Sequence, residues 1–142
     1  MQEQKDMQAI KVVFDVNIFI SYIIKDRMDE IFDMVFERNI CLYRNVEMRV
    51  ELENVLQRPK FKKYLSQPVM YYMDFFDKIT VLYQTISTFQ NCTDQKDNYL
   101  FDLAYQVNAH YLVSGDKKVL ATPVKKSLHL VTLSIFKNIV CL

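Results

Sequence analysis

With 142 residues, 51% of them hydrophobic and 13% aromatic, the chain is the size of one domain and has material for a real core. That composition excludes a disordered chain, and one glycine with three prolines excludes a loop-rich or fibrous one. A net charge of +1 gives no global field to draw in a polyanion, and three widely spaced cysteines (Cys41, Cys92 and Cys141) fit neither a disulfide framework nor a zinc site.

Residues 1–9 are polar and are expected to form a flexible N-terminus, leaving 10–142 as a single domain. Ile10–Phe14 reads as a short strand, and Val12, Val13 and Phe14 are apolar without alternation. Such a strand is covered on both faces, as in parallel α/β sheets. The apolar run from Ile10 to Ile24 is interrupted by Lys11, Asp15 and Asn17, so it reads neither as a signal peptide nor as a membrane span of ~20 apolar residues. The expected setting is the reducing cytoplasm, with the cysteines as buried free thiols and no membrane association.

Residues 18–37 carry a helical pattern with a break near Lys25 and Asp26. Ile40–Tyr43 is a second strand, followed by helices over 45–57 and about 68–82. Val81–Phe89 is ambiguous and includes a possible strand. A helix over 95–108 leads into a third clear strand, Tyr111–Val113, and a short helix follows Asp116. Leu128–Thr132 is the last strand and 133–138 a last helical turn. Alternating strands and helices in one short chain predict a doubly wound α/β fold, whose functional site lies beyond the carboxyl ends of the strands. Asp15 and Asp116 fall there.

Helical phase selects two more acids. At about 100° per residue, Met48, Leu52, Val55 and Leu56 share one face of helix 45–57, and Glu51 borders it while Glu47 and Glu53 lie further round. In helix 95–108 the stripe is Leu100, Leu103, Ala104 and Val107; Asp97 projects onto it, and Asp102 projects to the opposite side, towards water. Asp94 suits the N-cap, and capping or the helix dipole is the plain alternative for Asp97. If Asp15, Glu51, Asp97 and Asp116 converge, their like charges need a counter-ion. Hard oxygen donors favour Mg²⁺ or Mn²⁺, and His110 and His129 stand at no metal-ligand spacing. One or two such ions would activate water against a phosphodiester.

Arg58, Lys60, Lys62 and Lys63, interleaved with Phe61 and Tyr64, follow the Glu51 helix. A solvated face is the ordinary reading of such a cluster and phosphate contact the sharper one. Gly115 suggests a sharp turn where a side chain would crowd the site. Asn17 offers an amide to a carboxylate or a phosphate, and Ser114 a hydroxyl to a ligand carboxylate, with helix capping as the alternative for both.

Four blocks in order resemble the PIN-domain nucleases, in particular the toxins of toxin–antitoxin systems. They are Val13-Phe14-Asp15-Val16-Asn17, then Glu51-Leu52-Glu53-Asn54-Val55-Leu56-Gln57-Arg58-Pro59-Lys60-Phe61, then Asp94-Gln95-Lys96-Asp97-Asn98, and Ser114-Gly115-Asp116-Lys117. The resemblance implies a three-layer α/β/α sandwich around a mostly parallel sheet. It also implies a Mg²⁺ or Mn²⁺ site on Asp15, Glu51, Asp97 and Asp116, endoribonuclease activity on RNA, a homodimer and an antitoxin partner. Two positions depart from the pattern: Val16 replaces the usual Thr, and Arg44-Asn45 replaces a small hydroxyl residue before the second-acid helix. Two other readings stand beside this one. An aspartyl phosphotransferase or phosphatase would use Asp15 as nucleophile, but Asn17 stands where its second acid belongs. A non-catalytic RNA- or protein-binding module would have kept the four acids without using them.

Overall fold

A computed structural model describes residues 9–140, so the N-terminal segment apart from Ala9 lies outside the described residues, as does Cys141. The elements run β1 (Ile10–Phe14), α1 (Val16–Ile24), α2 (Met28–Glu37), β2 (Ile40–Arg44), α3 (Val46–Leu56), a 3₁₀ turn (Pro59–Tyr64), α4 (Val69–Ile79) and β3 (Thr80–Leu82). After an irregular connection come a second 3₁₀ turn (Gln95–Asp97), α5 (Asn98–Gln106), β4 (Tyr111–Val113), α6 (Lys117–Leu120), β5 (His129–Val131) and α7 (Leu133–Ile139).

The five strands form one parallel sheet in the order β3-β2-β1-β4-β5. Val12, Val13 and Phe14 are fully buried, so helices cover both faces of the central strand, as an α/β/α sandwich requires. Phe14 and Phe19 meet at 5.5 Å, Phe19 meets Phe76 of α4 edge-on at 4.9 Å, and Phe14 meets Phe136 of α7 edge-on at 5.8 Å. Lys137 of α7 also reaches Glu30 of α2 at 3.9 Å, so these rings bind one helical layer, α1, α4 and α7, to β1.

The strand order places a topological switch between β1 and β4. From β1 the chain moves outward to β2 and β3, then returns to the other side of β1 as β4, which pairs Phe14 with Val113. A crevice opens at such a point because the two crossovers leave on opposite sides. Asp15 and the Ser114–Asp116 segment follow the two strands that flank it.

Most elements agree with their sequence pattern, and the break expected near Lys25 and Asp26 is a real one, with Asp26 in the left-handed region at φ 56°. The helix expected over about 68–82 is shorter. It stops at Ile79, and Thr80–Leu82 becomes the edge strand β3, pairing Leu42 with Thr80. The Thr80 hydroxyl donates to the Phe76 carbonyl at 2.7 Å, and the Arg44 guanidinium donates to the Thr80 carbonyl at 2.8 Å. These bonds satisfy the helix end and the edge strand at once, and the arginine comes from a distant part of the chain, so helical periodicity could not anticipate the stop. The described cysteines, Cys41 and Cys92, are free thiols. Among the described residues no helix is long and apolar enough to cross a membrane.

Candidate functional site

Asp15 ends β1 and caps α1, its Oδ1 accepting the Asn17 backbone N–H at 3.3 Å. Its other oxygen accepts the Ser114 hydroxyl at 2.7 Å, and that hydroxyl accepts the Asp116 backbone N–H at 3.0 Å. Ser114 is fully buried, so this chain of bonds couples the two strand ends across the switch point. Asp116 in turn caps α6 by accepting the Lys118 N–H at 2.9 Å. Of the two supporting residues, Ser114 meets a carboxylate, whereas the Asn17 side chain is exposed and contributes only its backbone N–H here.

Glu51 is presented by α3, whose N-terminus is capped by Asn45 accepting the Met48 N–H at 3.0 Å. The Asn45 amide also donates to the Tyr99 carbonyl at 3.2 Å. Asn45 therefore does the capping that a small hydroxyl residue would do, and Arg44 turns away to anchor β3. A bidentate pair from Arg49 to Asp77, at 2.9 and 3.0 Å, fixes α3 against α4. The Tyr99 hydroxyl donates to the Glu51 carboxylate. Sequence reading missed Tyr99, because nothing in a one-residue signal distinguishes a tyrosine that crosses to a neighbouring helix from one that fills a core. Glu47 is exposed and Glu53 pairs with Arg49 at 3.9 Å, so Glu51 is the acid of α3 that turns inward.

Asp97 closes the second 3₁₀ turn at 7% exposure and makes no side-chain capping bond. Asp94 is the cap instead, accepting the Lys96 N–H at 3.4 Å. Burial first, then the charges of Asp15, Asp94, Glu51 and Asp116, push the Asp97 carboxyl up to about 6. Burial likewise raises Asp15, and the charges of Glu51 and Asp116 add to it, while the Ser114 hydroxyl and Asn17 N–H pull the other way. Burial and the bond to Glu51 hold the Tyr99 phenol well above its usual range. The four acids thus feel one another's charge. Among the described residues, however, no set of three or more His, Cys, Asp or Glu side chains stands in a geometry ready to hold an ion. Bare carboxylates repel, and Tyr99 holds Glu51 to one side, so closing a ligand shell requires side chains to turn.

Two expectations are corrected here. Asp102 does not face water: it is 3% exposed, and one of its oxygens accepts the Thr88 N–H at 2.9 Å, the Thr88 hydroxyl at 3.1 Å and the Phe89 N–H at 2.7 Å. The connection between β3 and α5 lies over the outer face of α5, and Phe89 stacks on Phe101 at 4.6 Å. Gly115 has no positive φ, and a Cβ built on it would meet nothing within 4 Å, so neither strain nor crowding within the chain demands a glycine there.

The basic residues follow the end of α3. Arg58 lines a groove of about 860 Å³ together with Glu51, and it also adjoins Lys62 in a second hollow beyond the end of α3. Lys60 and Lys63 lie over the neighbouring Phe61 and Tyr64 rings, each at 5.1 Å, and all four cations are exposed. Of the two histidines, His110 Nδ1 accepts the Lys11 N–H at 3.0 Å, and His129 lies 5.7 Å from the Tyr111 ring.

A family model for the PIN domain matches residues 11–118, the stretch that carries β1 through the start of α6 and all four acids. The chain belongs to the PIN domain family. Its members are generally hydrolytic nucleases that typically use divalent metal ions, and membership suggests a nuclease-type function. The chain is 29% identical over 123 residues to the uncharacterized protein MJ1680 of Methanocaldococcus jannaschii, covering 84% of this chain and 79% of that protein. No solved structure matches it significantly.

Proposed function

We infer that this PIN domain is a metal-dependent endoribonuclease, the toxin of a toxin–antitoxin pair, using Asp15, Glu51, Asp97 and Asp116. The observation that carries the reading is Asp97, a buried carboxylate that caps nothing and sits among the charges of four other acids. Burying charge without a partner is costly, so a site of this kind is built for a cation. The donor set fits Mg²⁺ or Mn²⁺, because it offers carboxylate oxygens and no thiolate or imidazole. A divalent ion there would polarise a phosphodiester and make water acidic enough to attack it.

The chain's own residues supply the rest. Asp15 and Asp116 would be the core ligands, held in mutual register by the Ser114 hydroxyl. Asp97 and Glu51 would complete the set directly or through water, with Tyr99 steadying Glu51. Arg58, Lys60, Lys62 and Lys63 would take phosphates along the strand, since local patches must supply affinity when net charge is near zero. RNA as the substrate, a homodimer and an antitoxin that covers the site all follow from the likeness to the toxin branch. The aspartyl-phosphotransfer alternative lacks its second acid, because Asn17 holds that position with an exposed side chain.

The test uses the purified chain freed of any antitoxin. Mg²⁺ or Mn²⁺ is expected to raise its Tm and to switch on cleavage of single-stranded RNA, and the Asp15→Asn/Asp116→Asn variant loses both responses. Equal metal stabilisation of the two proteins would sink the shared site, and a metal-stabilised protein that cuts no RNA across a broad panel would sink the activity.

A further inference from the structure

The groove of about 860 Å³ opens between α3 and the wall formed by the β3–α5 connection and the start of α5. We propose that it is a base-binding subsite, taking the nucleobase of the RNA nucleotide next to the scissile phosphate. The proposal rests on the nuclease reading above and adds to it where the substrate's neighbouring base goes.

The first support is continuity. Glu51 and Tyr99, bonded to each other, both line the groove, and Glu51 shares its charge environment with Asp15 and Asp97. A strand whose phosphate lies at the acids therefore has its next nucleotide at this opening. Size is the second. Pockets that hold small ligands run roughly 300–1,000 Å³, and a nucleoside lies well within that range.

The lining chemistry decides between base and backbone. Its charged members are Glu47, Glu51 and Asp102 against Arg58 and Lys96, so acids outnumber cations and a phosphate chain laid along the floor would be repelled. A neutral heterocycle is not. Asn54, Gln90 and Gln95 present exposed amides, and among the described residues no hydrogen bond within the chain engages them. An amide gives both a donor and an acceptor, which is what the rim of a base requires. Val50, 52% exposed on the same wall, offers an apolar surface to the flat face of the ring. Arg58 is a cation at one end, continuous with Lys62 outside, placed for the phosphate that follows the base.

An amphipathic helix of a protein partner is the competing occupant, and the experiment separates the two. The full chain, stripped of metal with EDTA so that no cleavage occurs, is titrated with a short single-stranded oligoribonucleotide. A second set carries one abasic nucleotide at successive positions. One abasic position is expected to weaken binding by about tenfold, within the range seen when single base-stacking contacts are lost. Asn54→Ala/Gln95→Ala and, by filling the space instead, Val50→Trp are expected to bind intact RNA about tenfold more weakly and to erase the abasic difference. In the metal-loaded cleavage assay the same variants raise KM and flatten the preference for the base flanking the cut. All three positions are exposed, so the variants keep the fold, which an unchanged Tm verifies. Base-bearing and abasic RNA bound equally by the wild type, or an abasic difference that survives in both variants, overturns the subsite. Because the binding assay needs no turnover, an RNA that binds with base discrimination but is never cut would count against the nuclease reading and leave the subsite in place.

Discussion

Asp97 and Asp102 belong to one helical segment and are both buried, at 7% and 3% exposure, yet they are held in opposite ways. Asp102 gives one oxygen to three donors from Thr88 and Phe89, so its charge is answered from within the chain. Asp97 caps nothing and is pushed up to about 6 by burial and by the charges of Asp15, Asp94, Glu51 and Asp116. A buried carboxylate with its donors in place is a structural fastener. One without them stores unfavourable energy that only a cation or a proton relieves. Burial alone does not separate the two roles, and the hydrogen-bond partners do.

The largest expected effect breaks the pair apart by function. Asp97→Asn removes a proposed ligand and should lower RNA cleavage by ~100-fold or more, at or beyond the upper end of the loss seen for an outer partner of a metal site. Its Tm without metal should stay the same or rise. A variant with near-normal turnover would make Asp97 a bystander and remove the contrast with Asp102.

The converse substitution acts on stability. Asp102→Ala leaves the Thr88 and Phe89 N–H groups without their acceptor, and each buried donor left unpaired costs roughly 1–3 kcal/mol. A loss of about 2–4 kcal/mol in urea unfolding is expected. Asp102→Asn keeps an acceptor oxygen and should lose less. A loss below about 1 kcal/mol for Asp102→Ala would mean that water replaces the carboxylate and that the connection is not fastened by it.

This contrast also marks how far the sequence could be read. The apolar stripe of α5 put Asp97 on the packed side correctly, because that side meets the sheet and the pattern of Leu100, Leu103 and Ala104 records it. The same phase sent Asp102 to solvent, because the face it occupies is covered by an irregular connection whose course has no period to read. β1 was legible for the reason that Asp97 was: Val12, Val13 and Phe14 have no polar side to misassign. The early end of α4 was not, since it depends on Arg44 reaching the Thr80 carbonyl from another strand. Gly115 looked like a steric necessity and is none, because the space beside it is open. Local patterns report which face of an element is covered by regular structure. Partners brought by long-range contacts, Tyr99 for Glu51 among them, leave no such trace.

A pH titration sharpens the comparison without touching the catalytic assay. Asp97 has a folded pKa of about 6 against an ordinary 3.8, so the folded state holds its proton more tightly than the unfolded one. Its contribution is favourable while both states are protonated, below about pH 4, and is lost as pH rises through 6. Between pH 4 and 7 the metal-free protein should lose on the order of 1–3 kcal/mol from this group, since one pKa unit is about 1.4 kcal/mol. Asp97→Asn should flatten that part of the stability curve, and saturating Mg²⁺ should flatten it in the wild type. A curve of the same slope in wild type and variant would place the strain elsewhere.

Asp15 lies between the two extremes, and it gives the smallest and most specific test. Like Asp97 it is buried among acids and its carboxyl is raised, but like Asp102 it has donors, the Ser114 hydroxyl at 2.7 Å and the Asn17 N–H at 3.3 Å. Ser114→Ala removes the stronger of them and leaves the Asp116 N–H without its acceptor, so Asp15 is shifted towards the condition of Asp97 while every acid remains. If Ser114 acts by orienting Asp15, the cost falls on the metal: about tenfold in Mg²⁺ affinity, at the lower end of the range for losing an outer partner. Raising the Mg²⁺ concentration should then recover the cleavage rate, which Asp97→Asn does not permit. A rate deficit that persists at saturating metal would mean that the buried Ser114 hydroxyl orients Asp15 and Asp116 for turnover as well as for metal affinity. An unchanged affinity would mean that Asp15 keeps its place without the hydroxyl, and that the Asn17 N–H alone is enough.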